Sequence, residues 1–161
     1  MNQNMNQRQP RGKSFGREQE SEFAQKILNM ARVTRVMAGG KRFNFSVLLA
    51  IGDKKGRVGL GLGKAIDTQL AISKAFRNAK KNLMTLPLTK NNSIPFDVLA
   101  KYGSAKVYLR SNKGRGIVAG SVVRDILTLG GVRDVTSKIL SGTKNKLNLS
   151  RATITALAKL Y

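Results

Sequence analysis

The sequence predicts an α+β protein made of two small units. Apolar residues make up 41% of the chain and charged residues only 24%, a balance that permits a hydrophobic core. The apolar pattern switches along the chain between the two-residue repeat of strands and the wider spacing of helices. A polar stretch around Pro87 and residues 89–93 interrupts this pattern near its middle. Each half is therefore expected to form its own unit.

The first half is expected to contain a basic arm, a helix, three strands and a second helix. Residues 1–21 are polar and basic, so they are expected to form a flexible arm. Phe23, Ile27 and Met30 recur at helical spacing, which predicts a short helix over residues 22–31. Glycine-containing turns separate the runs that follow, which favours antiparallel pairing. The three strands and the amphipathic second helix are predicted at residues 33–37, 43–51, 57–62 and 65–83.

The second half is expected to be another α+β unit. Its β-branched runs predict strands, its apolar stripes predict helices, and Gly130 with Gly131 ends the first of these helices. The elements are predicted at residues 94–98, 105–109, 117–129, 132–140 and 150–160, the third and the last being helical. The expected organisation is an arm over 1–21, a first domain over 22–85 and a second over 86–161.

The charge of the chain indicates a polyanionic partner. There are 30 Lys and Arg against 8 Asp and Glu in 161 residues, a formal net charge of +22. So much like charge on a compact body favours a nucleic acid as its partner. The chain has neither Cys nor His, which excludes disulfides and thiolate zinc sites. No apolar run reaches the ~18 residues of a membrane span, and the start lacks a signal peptide's apolar region, so an intracellular soluble protein is expected.

Two glycine-rich segments resemble nucleotide-binding loops. Residues 59–64, GLGLGK, lie between a predicted strand and helix, but the Walker spacing fails because Val58 and Ala65 occupy the required glycine and hydroxyl positions. Glycines at alternate strand positions instead favour close approach of a neighbouring backbone. Residues 114–119, GRGIVA, match the dinucleotide fingerprint, with Asp134 about twenty residues later. Too few residues surround this match to build a dinucleotide-binding half, so no cofactor is expected.

The sequence offers no clear residues for acid–base or nucleophilic catalysis. No His is present to act as a base, and the acids are scattered. Asp53 and Asp134 both have the character of turn or strand-end residues. An enzyme is therefore not expected, and no catalytic residue or metal ligand is assigned.

The basic loops are the strongest functional signal. In each loop, cations accompany Gly or Asn, which lets the backbone approach phosphate and sugar oxygens. Aromatic residues are only 6%, which favours folded RNA recognised by shape over a stacking platform for single strands. The loop residues are Arg32, Arg35, Gly39, Gly40, Lys41, Arg42, Lys54, Lys55, Arg57, Lys64, Lys113, Arg115, Lys144 and Lys146.

Several short motifs occur together in the order of a known family. They include RVTRV at 32–36, GGKRF at 39–43, GRVG at 56–59, GLGKA at 61–65, AKKN at 79–82, GIVAG at 116–120, VR at 123–124 and RAT at 151–153. Each motif is loose by itself. Together, over about residues 22–160, they resemble the family of bacterial-type small-subunit ribosomal protein five.

The resemblance implies a fold and a role. The fold is a domain like the double-stranded-RNA-binding domain, with a helix, a three-stranded antiparallel sheet and a helix, followed by a C-terminal β-α-β domain. The role is a non-enzymatic one in binding small-subunit ribosomal RNA, supporting assembly, translation and decoding accuracy in a cytoplasmic or organellar ribosome. Ribosomal proteins four and eight and the messenger RNA path are implied neighbours. The segment 32–42 corresponds to an RNA-probing extension, and Arg124 joins the expected RNA-binding residues.

The chain departs from the family at a few places, and two rival functions remain open. Phe96 replaces a usual His, Ser121 a usual Gly, and Lys146 a usual Pro, while residues 113–116 are more basic than expected. These changes bear on individual contacts and not on the family. The rivals are a free RNA-binding regulator outside the ribosome and a small nucleotide-dependent enzyme.

Overall fold

A computed structural model describes residues 22–89, 91–112 and 114–161, and within them the chain forms two four-stranded sheets and three helices. The arm predicted for residues 1–21 lies outside the described residues. The elements are β1 Ala24–Met37, β2 Gly40–Gly52, β3 Arg57–Ala65, α1 Thr68–Lys81, β4 Leu83–Thr85, β5 Val98–Tyr102, β6 Ala105–Ser111, β7 Ile117–Val118, α2 Ser121–Leu129, β8 Val135–Ile139 and α3 Lys146–Ala158.

The first sheet is antiparallel, in the order β1-β2-β3-β4, and α1 packs on one of its faces. Contact is close because glycines at alternate positions of β3 face alanines of α1. A Cβ on Gly61 would collide with the carbonyl oxygen of Ala75, and one on Gly63 with that of Ala71. The predicted structural role of these glycines is therefore confirmed: they let a helix backbone lie directly against a strand.

The helix predicted over residues 22–31 is wrong, because this segment is the first part of β1. Ile27 and Met30, which suggested a helical stripe, are 44% and 54% exposed. The buried residues are Phe23 and Leu28, and the pairing with β2 shifts by one residue between Ile27 and Asn29. The pairing of β1 with the whole length of β2 outweighs the helical spacing of the apolar residues, as tertiary context commonly outweighs local preference.

The second sheet has the order β5-β6-β8-β7, and β7 runs parallel to β8 through the crossover helix α2. The inward side chains of β5, β6 and β8 form a core with α2 and α3. The outer face, with Leu99 and Lys101, remains exposed. This is the expected β-α-β unit with two further antiparallel strands.

Several predicted boundaries in the second half are wrong. Ile94 is buried but lies outside any strand, and Pro95 follows it, so β5 begins only at Val98. The helix predicted from residue 117 begins at Ser121, because residues 117–118 form β7. Conversely, α3 begins earlier than predicted: the side chain of Asn145 caps it by accepting hydrogen bonds from the amides of the second and third helical residues.

One hydrophobic core is shared by the two units, and a second, smaller one lies between the first sheet and α1. Leu48, Ala50 and Val58 face away from α1 and belong to the same buried cluster as α2 and α3. The turn between β2 and β3 is also tied to the end of α2, since the Lys54 amide donates to the Leu129 carbonyl at 2.9 Å. The turn between β2 and β3 is consequently held beside the C-terminal end of α2.

Candidate nucleic-acid interface

The first basic segment forms the end of a long β-hairpin. The third strand reaches only as far as Ala65, which lies opposite Phe45. Beyond that point β1 and β2 continue as a two-stranded ribbon of five residue pairs, from Val33 with Asn44 to Met37 with Gly40. We call residues 33–44 the hairpin extension. Nearly all of its residues are exposed.

Both faces of the hairpin extension are cationic. Arg35 lies directly opposite Arg42 on one face, while Arg32, at the base, and Lys41 lie on the other, following the alternation of strands. The Arg32 guanidinium sits 3.8 Å from the centroid of the Phe43 ring. No Asp or Glu occurs between Glu22 and Asp53. Like charges opposite each other destabilise a ribbon, so folding alone gives no reason for this arrangement.

The tip of the hairpin extension leaves its backbone open to a ligand. Gly40 has φ +135°, a conformation that favours glycine, and no atom lies within 4 Å of a Cβ placed on Gly39 or Gly40. Lys41 and Arg42 line a small cavity beside these glycines. A phosphate could thus meet both side-chain cations and the exposed backbone.

The turn between β2 and β3 is organised by Asp53. Its carboxylate accepts hydrogen bonds from the Lys55 amide at 2.8 Å, from the Arg57 amide at 3.0 Å and from Arg57 Nε at 2.7 Å. Burial raises the pKa of Asp53, but the Arg57 side chain and the two backbone amides outweigh it, so the pKa lies below its ordinary value. Arg57 is thereby held by its own turn, while the side chains of Lys54 and Lys55 point into solvent.

This turn meets the basic loop of the second unit. Lys54 lines a cavity of about 420 Å³ together with Gly116 and Arg133. The Gly116 amide donates to Asp134 at 3.0 Å, which fixes the loop that precedes α2. Arg115 is exposed in this loop. Lys113, which the sequence also suggested, lies outside the described residues.

The other predicted residues lie on separate elements. Lys64 is exposed near the end of β3, and Arg124 is exposed on α2. Lys144 and Lys146 are exposed on either side of Asn145, the residue that caps α3. The predicted set thus divides into the hairpin extension with its base, the junction of the two units and these individual positions.

Neither glycine-rich motif has the geometry of a nucleotide site. Residues 59–64 lie within β3 and form no loop. In the second motif a strand, β7, separates Gly116 from α2, so the glycine turn does not lead directly into a helix as the fingerprint requires. Among the described residues there is no group of three or more acids that could hold a metal ion, and no described helix is long and apolar enough to span a membrane.

Sequence reasoning missed a cationic groove beside the edge of β3. It has a volume of about 340 Å³ and is lined by Lys64, Lys74, Arg77 and Lys81. The signal was present, because positions 74, 77 and 81 have the spacing of a single helix face. The proximity of Lys64 to that face could not be deduced from spacing, since it depends on how α1 lies along β3.

Comparison with protein families gives a match for each of the two units. Residues 23–87 match the N-terminal domain of ribosomal protein S5, and residues 100–161 match its C-terminal domain. The chain belongs to the ribosomal protein S5 family. Its α+β architecture, with an antiparallel sheet and helix followed by a β-α-β unit, agrees with the two S5 domains, and the hairpin extension lies within the N-terminal one.

Curated relatives in the S5 family match over most of this chain. Small ribosomal subunit protein uS5c of Pyropia yezoensis is 44% identical over 91% of this chain and 84% of its own length. Small ribosomal subunit protein uS5 of Hydrogenobaculum sp. is 45% identical over 86% of this chain and 73% of its own. The uS5 protein of Mycoplasmopsis agalactiae is 42% identical over 91% of this chain but 63% of its own length.

Proposed function

We propose that this protein is a structural, non-enzymatic constituent of the small ribosomal subunit and binds small-subunit ribosomal RNA there. The observation that carries the proposal is the hairpin extension, a cationic ribbon without acids in a chain of the S5 family. Its close pair of arginines has no ion-pair partner among the described residues, and a polyanion would supply one. The ribosome would be a cytoplasmic or an organellar one.

The proposed RNA-binding surface has two main parts. The first is the hairpin extension with Arg32 at its base. The second is the junction, where Lys54 and the loop with Arg115 lie close together. Open glycine backbone accompanies the cations in the first part, which suits phosphate and sugar contacts on folded RNA. The proposed residues are Arg32, Arg35, Gly39, Gly40, Lys41, Arg42, Lys54, Lys55, Arg57, Lys64, Lys113, Arg115, Arg124, Lys144 and Lys146.

The finer assignments rest on the family resemblance. We propose that ribosomal proteins four and eight are neighbours, that the messenger RNA path lies nearby and that the protein supports decoding accuracy. We also propose that residues 1–21 form an arm, and that the first domain covers 22–85 and the second 86–161. The shared core predicts that the two domains unfold together, since Leu48 and Val58 are buried against α2 and α3.

Sedimentation of the tagged full-length chain tests the main proposal. The protein should migrate with small subunits on a sucrose gradient and remain there at moderate salt. A variant with Arg32, Arg35, Lys41 and Arg42 all changed to Gln should be released at lower salt, because up to four phosphate contacts are lost. Wild-type protein found only in the free pool would favour a regulator outside the ribosome and overturn the proposal.

A matched variant controls for the loss of charge. Lys80, Lys101, Lys106 and Lys138 are exposed cations outside the proposed surface, and changing all four to Gln removes the same net charge. If this variant is released as readily as the hairpin variant, only overall charge matters and the assignment to the hairpin extension fails.

A further inference from the structure

We infer that the groove between α1 and the free edge of β3 is a second phosphodiester-binding surface, formed by Lys74, Arg77 and Lys81 of α1 beside the backbone of Lys64. This inference rests on the proposed function, because the ligand would be a backbone strand of the same ribosomal RNA. None of these three cations of α1 belongs to the set predicted from the sequence.

The groove exists because β3 is an edge strand over most of its length. β4 pairs only with residues 57–59, so the remainder of β3 has no strand on that side. Instead, side chains of α1 and of its C-cap residue, Asn82, bond to its carbonyl groups. Asn78 Nδ2 donates to Leu62 at 2.8 Å, Asn82 Nδ2 to Leu60 at 3.3 Å, and Lys74 Nζ to Lys64 at 3.4 Å.

These hydrogen bonds set α1 in register with β3. Four helical residues advance about 6.0 Å and two strand residues about 6.6 Å, so positions 74, 78 and 82 meet alternate carbonyls. The register places Arg77 and Lys81 along the same edge, beside the backbone of Lys64. The position of the groove is therefore set by the packing of α1 against β3.

The charge of the groove favours a polyanion. Lys74, Arg77 and Lys81 are separated by three and four residues, a spacing at which like charges destabilise a helix. No acid occurs between Asp67 and Asp97, and none of the ion pairs among the described residues involves the three cations of the groove. All three are exposed. The helix dipole favours only Lys81, in the last turn, whereas a phosphodiester strand would neutralise all three.

The groove is also continuous with the proposed interface. Lys64 is paired with Ser46, one position from the pair of Phe45 with Ala65 where the hairpin extension begins. A strand of RNA that leaves the base of the hairpin could pass directly along α1. This continuity favours RNA over an acidic protein as the occupant of the groove.

Neighbouring lysines of α1 provide a matched test. Lys81 faces the groove, whereas the Nζ of Lys80 lies 4.8 Å from the Phe76 ring centroid and 6.0 Å from that of Phe23. We would measure the affinity of the full chain for transcribed small-subunit ribosomal RNA from about 50 to 200 mM salt. Lys81→Gln should reduce the slope of log K against log salt by about 0.7–0.9, and Lys80→Gln should leave it unchanged.

The double variant Arg77→Gln/Lys81→Gln should reduce the slope by roughly 1.4–1.8. Equal slopes for Lys80→Gln and Lys81→Gln would overturn the inference, as would a double variant that behaves like wild type. If those variants match wild type while an Arg35→Gln/Arg42→Gln variant lowers the slope, only the groove is refuted and the proposed function stands. Wild-type protein without salt-dependent binding would refute both.

A positional readout separates RNA from a protein occupant. The chain has no Cys, so Arg77→Cys and Lys80→Cys each provide a single site for a tethered iron–EDTA probe. In assembled small subunits, the probe at position 77 should cleave the ribosomal RNA backbone more strongly than the probe at 80. Absence of RNA cleavage from position 77, when a probe on Arg35→Cys in the hairpin extension does cleave, would place another partner in the groove and overturn the inference.

Discussion

One substitution at the opposed arginines of the hairpin extension should change the stability of the ribbon and its affinity for RNA in opposite directions. Arg35 and Arg42 form a directly opposite pair, so Arg42→Glu replaces a repulsive contact with an attractive one. Opposite charges across a strand pair contribute roughly 0.2–1 kcal/mol, and like charges cost a similar amount. The free ribbon should therefore gain about 0.4–2 kcal/mol. By contrast, RNA binding should weaken, because one phosphate contact is lost and a negative charge faces the ligand.

Amide hydrogen exchange and RNA binding measure the two effects. A gain of about 0.4–2 kcal/mol slows exchange of the ribbon amides by roughly twofold to thirtyfold, since 1.4 kcal/mol is a factor of ten. The affinity of the full chain for transcribed small-subunit ribosomal RNA should fall, with a salt slope lower by about 0.9. Arg42→Gln is the control: it should give the same change in salt slope, but a smaller loss of affinity and a smaller slowing of exchange. A variant that binds RNA as tightly as wild type, or whose ribbon exchanges faster, would refute the reasoning.

Two further predictions concern the scaffold. Gly61→Ala should lower the free energy of unfolding by about 1–3 kcal/mol in urea titrations because its Cβ meets the backbone of α1, whereas Gly39→Ala, in open space, should change it by less than about 0.5 kcal/mol. Equal effects would contradict the close packing. The pKa of Asp53 is lower in the folded than in the unfolded state, so its contribution is present above about pH 3.9 and is lost as the pH falls through the folded value. Stability of Asp53→Asn should consequently fall less than that of wild type between about pH 4 and pH 2, and parallel curves would count against this role.

The sequence predicted the features that depend on local chemistry. The glycines of β3 were expected to admit a neighbouring backbone, and Gly61 and Gly63 do so. The helix at Thr68–Lys81 and the strand at Ala105–Ser111 follow from apolar spacing within a few residues of their predicted ends. The basic loops can also be read from the sequence, because cations beside Gly are a local pattern, and their binding to RNA stays a prediction.

Features that depend on distant pairing were not predictable in this way. Phe23, Ile27 and Met30 have helical spacing, yet the segment pairs with residues about twenty positions later, and a one-residue shift near Leu28 masks the alternation of the strand. The groove was missed for the same reason. The three cations of α1 meet the backbone of Lys64 only because that helix lies along an unpaired strand edge.

The placement of the few acids explains how a chain with a charge of +22 can hold a defined shape. Among the described residues, Asp53 fixes the turn before β3, and Asp125 ties α2 to Lys26 of β1 at 2.6 Å. Both acids stabilise the scaffold, and neither lies on the hairpin extension or in the groove. The cations there have no such acid beside them, and the proposed RNA would neutralise them. Since a ligand that binds only the folded state stabilises it, RNA binding would raise the free energy of unfolding of the protein.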